Sequence, residues 1–102
     1  MIIYNVTYSI DPEVHEDWLA WMKGNYIPEV ISYGNLSQVN LNQVISEEDS
    51  FITYAAQYVF SSMKDFSYFQ KEFYELFHNK HAERYQDRVV SFSTLLKQID
   101  IV

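Results

Sequence analysis

Apolar and polar residues alternate at the start of the chain: Ile2, Tyr4, Val6, Tyr8 and Ile10 share one side, and Asn5, Thr7 and Ser9 the other. A period of two predicts a β-strand. The period then changes. Across DPEVHEDWLAWMKGN, residues 11–25, Val14, Trp18, Trp21 and Met22 recur at helical spacing, behind Asp11 as a cap and Pro12 in the first turn. Gly24 and Asn25 weaken this helix, and Pro28 disfavours the α conformation at Ile27. The stretch NYIPEVISYG therefore predicts a kink and a short further turn of helix ending at Gly34.

Two more apolar runs, 36–45 and 51–60, flank the acidic turn SEEDS and read as a hairpin. Ser62, with Asp65 three residues on, starts a second and longer helix whose stripe is Phe66, Phe69, Phe73, Leu76 and Phe77. RVVSFSTLL, from Arg88, closes the chain as a fourth strand rich in β-branched and aromatic residues. The order β-α-β-β-α-β predicts an α+β, ferredoxin-like domain over residues 1–102. Right-handed crossovers place both helices on one face of a four-stranded antiparallel sheet with strand order 4-1-3-2.

Charge sharpens that picture by its absence. Residues 1–10, 35–46, 50–63 and 89–96 contain no Asp, Glu, Lys or Arg. A sheet face left in water normally carries charges, and so does an exposed edge. The face away from the helices is expected to present Asn5, Thr7, Thr53, Gln57, Ser91 and Ser93, together with apolar Ile3, Phe51, Val59, Val89 and Leu95. A neutral face of this kind is economically explained by a second copy covering it, which makes the expected assembly a homodimeric α/β barrel.

Composition excludes several function classes. The net charge of −7, without a Lys/Arg cluster, repels a phosphate backbone, so nucleic acid is not an expected partner. The absence of Cys removes disulfides, thiolate zinc sites and a cysteine nucleophile. No apolar run reaches the roughly 18 residues of a membrane span, and the first residues lack a signal-peptide pattern, so the expected location is cytoplasmic. The triplets NVT and NLS fall in or beside predicted strands and are read as accidental glycosylation matches.

The stretches DWLAWMKGNYIPEV (17–30) and HAERYQDRVVSFSTLL (81–96), with the opening MIIYNVT, resemble a family of small bacterial proteins known only as a domain of unknown function. The resemblance covers nearly the whole chain. It implies the fold of the dimeric α/β barrels and no established activity. The chain departs from the family pattern at Tyr26, where His is expected before Ile-Pro, and at Ser93, where Arg is expected. A tyrosine with an ordinary pKa is neither an acid nor a base near neutral pH.

The candidate ligand-binding residues are Asn5, Thr7, Tyr26, Gln57, His81 and Ser91. Neutral donors and acceptors orient a small neutral or aromatic ligand without the desolvation penalty of charges, although the same residues suit a hydrogen-bonded dimer interface. His78 and His81, with Glu75 one turn earlier, have the spacing of a two-histidine, one-carboxylate site. The helix dipole alone explains basic residues there, so no metal or cofactor is expected. An alternative structural role for His81 is a bond to a backbone carbonyl at the start of strand four, with Tyr85 anchoring the helix to the sheet. The aromatic set Trp18, Trp21, Phe66, Phe69 and Phe73 reads as core before it reads as a pocket wall. The function expected from these features is small-molecule binding or protein interaction. The alternative is an enzyme resembling a cofactor-independent monooxygenase or isomerase, with His81, Tyr26 or Asn5 handling protons.

Overall fold

The computed structural model describes residues 1–46 and 50–102, so the acidic tip Glu47 to Asp49 lies outside the described residues. Strand β1 (Ile2–Ile10) is followed by a 3₁₀ turn (Pro12–Val14) and α1 (His15–Trp21). Asp11 caps the turn, its Oδ1 accepting from Glu13 N at 2.9 Å. A π-helical turn (Met22–Tyr26) joins α1 to α2 (Ile27–Tyr33) at the predicted kink. Helix α2 stops at Gly34, whose φ of −90° is not left-handed. The backbone approaches its neighbours closely there: a Cβ would meet Leu36, Phe69 and the Val30 carbonyl at 3.2 Å, so they would have to give by a few tenths of an ångström.

Strands β2 (Leu36–Gln43) and β3 (Ile52–Phe60) form the hairpin. The second helical segment is broken into α3 (Met63–Glu72) and α4 (Tyr74–Tyr85), where one continuous helix is expected from the sequence. Ser62 caps α3 as predicted, its Oγ accepting from Asp65 N at 3.2 Å. Phe73, at φ −127°, is the break. Because the helix restarts there, the apolar stripe does not continue in phase: Phe66, Phe69 and Phe77 are buried, while Leu76 is 54% exposed.

Strand β4 (Val89–Lys97) completes an antiparallel sheet of order β2-β3-β1-β4, the predicted topology. The helix-facing side of β1 and β3 carries Val6, Tyr8, Ile10, Tyr54, Ala56, Tyr58 and Phe60, packed with both tryptophans, Met22 and Val30 into one core.

The register of β4 corrects the expected open face. Ser91 pairs with Tyr8 and Ser93 with Val6, so these serines, with Val89 and Leu95, point to the helix side. The open side of β4 carries Val90, Phe92, Thr94 and Leu96 instead. Both alternating sets of VVSFSTLL mix apolar and hydroxyl residues, so periodicity could not choose between them; pairing with β1 does. The open face thus bears a neutral row, Asn40, Gln57, Asn5 and Thr94, across all four strands. Phe92 and Val90 stand 64% and 60% exposed at its edge.

Candidate functional site

Helices α1 to α4 cover β1 and β3 but leave the helix-facing side of β4 uncovered beyond the buried Val89: Ser91, Ser93 and Leu95 are all exposed. Between α4 and β4 this gap leads into a cavity of about 320 Å³. Its deep wall is Tyr8, Tyr26, Tyr58, Val30, Phe69 and Phe77, and its mouth is Tyr74, His78, Ala82 and Gln86 opposite Ser91 and Ser93. Among the described residues that line it, none is Asp, Glu, Lys or Arg.

Five of the lining residues are tyrosines: Tyr4, Tyr8, Tyr26, Tyr58 and Tyr74. The Tyr8 and Tyr58 hydroxyls, neighbours from β1 and β3, lie 3.3 Å apart. Burial is the main reason the phenols of Tyr8, Tyr26 and Tyr58 are pushed above their ordinary value, with mutual repulsion of their anionic forms adding to it. Burial also raises Tyr4, partly offset by hydrogen bonding with Ser93. All four keep their protons through the physiological range and act as neutral donors and acceptors.

His81 enters from α4 into an aromatic enclosure. Its ring centre is 5.2 Å from Tyr8, 5.4 Å from Tyr85, and 5.9 Å from both Trp21 and Tyr26. The fully buried Trp18 donates from Nε1 to His81 Nε2 at 3.0 Å. An indole N–H can only donate, so Nε2 accepts and the imidazole proton sits on Nδ1. Burial, and then the neighbouring charge of His78, lower the His81 pKa from 6.5 to about 4. The ring is neutral at pH 7.

Five further contacts hold α4 and the following turn in place. Tyr85 Oη donates to Asp17 Oδ2 at 2.8 Å, and the Arg84 guanidinium lies 5.1 Å over the Trp21 ring. Tyr85 therefore anchors α4 to α1, where the sequence suggests the sheet. Arg88 donates to Asp11 and Glu13, both at 2.8 Å, and its carbonyl accepts from Asp11 N at 2.9 Å. These bonds pin the turn Gln86–Arg88, in which Gln86 adopts φ 49°, a strained value for a residue with a Cβ. That backbone sets Gln86 at the cavity mouth.

A family model for a domain of unknown function, DUF4286, matches residues 1–99. The chain belongs to this family. Among solved structures, it is similar to an ethyl tert-butyl ether D (EthD) family protein from Bacillus halodurans, with a TM-score of 0.70 at 10% identity over 97% of this chain and 100% of that one. It is also similar to a dimeric ferredoxin-like protein from an uncultured marine organism, with a TM-score of 0.61 at 14% identity over 99% of this chain and 97% of that one. At such identities the likeness shows the fold alone, and the fold is ferredoxin-like. No curated protein sequence matches the chain.

Within this family fold the sequence-predicted residues separate into two groups. Tyr26, His81 and Ser91 meet at the cavity. Asn5, Thr7 and Gln57 lie on the opposite, open face, where Asn5 Nδ2 donates to Thr7 Oγ1 at 3.5 Å. Asn5 is therefore remote from His81 and cannot share a proton relay with it. The expected carbonyl partner of His81 is replaced by the Trp18 indole. His78 stacks on Tyr74 at 5.5 Å, and among the described residues no group of three His, Asp or Glu is placed to hold a metal. Of the expected aromatic wall only Phe69 reaches the cavity; Trp18, Trp21 and Phe66 are buried core.

Sequence reasoning missed the tyrosine set. The signal was available: the helix-facing positions of β1 and β3 hold Tyr4, Tyr8, Tyr54 and Tyr58 where aliphatic residues would suffice. A buried tyrosine demands a partner for its hydroxyl, and several together imply a polar space inside the core.

Proposed function

We propose that this protein is a homodimeric binding domain that takes a small, uncharged, largely planar molecule into the cavity between α4 and β4. The observation that carries this reading is the cavity's lining: protonated phenols, aromatic walls and the neutral His81 imidazole, with no Asp, Glu, Lys or Arg among the described residues. Such a lining solvates hydrogen-bonding edges and penalises ions. The volume of about 320 Å³ lies at the small end of ligand sites.

Homodimerisation is supported by the open sheet face, whose neutral row and exposed Phe92 and Val90 suit contact with a second copy better than contact with water. One of the similar solved proteins is described as dimeric. The net charge of −7 disfavours nucleic acid as the partner. Among the described residues no helix is long and apolar enough to cross a membrane.

A second reading, an enzyme of the isomerase or cofactor-independent monooxygenase kind, draws on His81 opening onto the cavity. Against it, Trp18 occupies the lone pair of Nε2, and at about 4 the His81 pKa is too low for an efficient base or acid at pH 7. Binding is the better account.

The test is an NMR titration with 1-tetralone, a neutral bicyclic ketone. Ring resonances of Tyr26, Tyr58 and Phe77 should shift, and those of residues on the open sheet face should not. Ala82→Phe, which narrows the mouth, should weaken binding by about tenfold or more. Shifts that ignore the cavity, or survive Ala82→Phe unchanged, would overturn the reading.

A further inference from the structure

We infer that His81 is a fixed hydrogen-bond donor that reads a carbonyl oxygen on the ligand, with Trp18 as the residue that sets its tautomer. This rests on the cavity reading above and narrows the ligand to planar neutral carbonyl compounds, ketones and quinones among them.

A hydrogen bond between α1 and α4 fixes the state of the imidazole. Because Trp18 Nε1 has no lone pair to offer, its 3.0 Å contact with His81 Nε2 leaves one tautomer, with the proton on Nδ1. No described residue bonds Nδ1, yet no buried side-chain nitrogen or oxygen among the described residues lacks a partner. Nδ1 is therefore not sealed in the core. His81 lines the cavity, so this N–H faces the space a ligand would fill. An N–H of this kind can only donate, and its complement is an acceptor.

The surroundings choose among acceptors. A carboxylate or phosphate would be stripped of water with no Lys or Arg in the lining to replace it, in a protein that is already anionic. A carbonyl has no such penalty. Tyr8 and Tyr58 share one hydrogen bond between their hydroxyls, which leaves one phenolic proton of the pair to point elsewhere. That phenolic proton and the His81 Nδ1–H are two donors, one for each lone pair of a single carbonyl oxygen. The flat rings of Tyr26 and Phe77, in edge contact at 5.8 Å, favour a planar body behind that oxygen.

The experiment compares 1-tetralone with tetralin, the same bicycle without the carbonyl, on ¹⁵N-labelled full-length protein. A long-range ¹H–¹⁵N spectrum at pH 7 should show His81 as the Nδ1–H tautomer in the free protein. 1-Tetralone should shift Nδ1 and bind about tenfold more tightly than tetralin, the worth of one well-placed hydrogen bond. Trp18→Phe, which keeps an aromatic ring but removes the indole donor, should mix the tautomers and weaken 1-tetralone while leaving tetralin unchanged. His81→Phe should make the two compounds equal. An Nε2–H tautomer, or tetralin bound as tightly as the ketone, would overturn this inference and leave the cavity reading standing. Binding of neither compound would sink both.

Discussion

Trp18→Ala is expected to destabilise the protein by about 4 kcal/mol, the largest single-residue effect in the molecule. Trp18 has no exposed surface, packs against Tyr8 and Tyr54 at ring distances of 5.2 Å, and holds His81. Truncation opens a void between α1 and the sheet, removes the dispersion contacts of an indole, and leaves His81 Nε2 without its donor. For a domain of ordinary stability, about 5–15 kcal/mol, this is a large share of the total. Urea unfolding of the two proteins measures it through the shift in midpoint at unchanged slope. Trp18→Phe should lose clearly less, because most of the ring volume returns. A loss under about 1 kcal/mol for Trp18→Ala would mean that this packing is not the keystone of the core.

The second large effect is on pH. His81 has a folded pKa of about 4 against 6.5 for the free side chain. The unfolded chain therefore takes up this proton first as pH falls, and stability rises with pH across that window. His81 contributes its full share above pH 6.5, loses it as pH falls toward 4, and changes nothing further below. At 1.36 kcal/mol for each pH unit the gap corresponds to at most about 3 kcal/mol. The groups facing the ring agree with this direction. His78 repels a second positive charge, the neighbouring tyrosines stay neutral throughout, and a protonated Nε2 would point its hydrogen at the Trp18 N–H. Asp11, whose carboxyl is lowered by the Glu13 amide and then by Arg88, adds a loss in the same direction at more acid pH. Urea midpoints from pH 7 to pH 4 should fall steeply in the native protein and much less in His81→Phe. Equal slopes would place the ionisation elsewhere.

The sequence carried the fold well because its signals were redundant. Two caps, Asp11 and Ser62, two changes of period and the Pro28 kink all fall where the backbone turns. Strand order follows from the β-α-β-β-α-β element order, whose usual sheet is 4-1-3-2. The failures share one cause, which is that a pattern along the chain does not contain the partner across it. VVSFSTLL is nearly symmetric in its two faces, so periodicity alone allows Ser91 and Ser93 on the open side, and only pairing with Tyr8 and Val6 turns them to the helix side. The stripe through Phe73 and Leu76 looked continuous because a helix break has no mark when Gly and Pro are absent. His81 stood out in the sequence for its rarity, but its state depends on Trp18, 63 positions away, and no spacing rule reaches that far. The charge-free strands were legible at once, and the structure gives them a second meaning: the same neutrality extends to the helix side, where it lines the cavity.

Native mass spectrometry of freshly purified, untagged protein offered 1-tetralone tests dimerisation and binding together, since one spectrum reports both assembly and occupancy. The expected species is a dimer that carries one ligand per protomer, with occupancy lost in Ala82→Phe and the dimer retained. A monomer would contradict the covered sheet face. A dimer that stays at its bare polypeptide mass would contradict the cavity as a binding site.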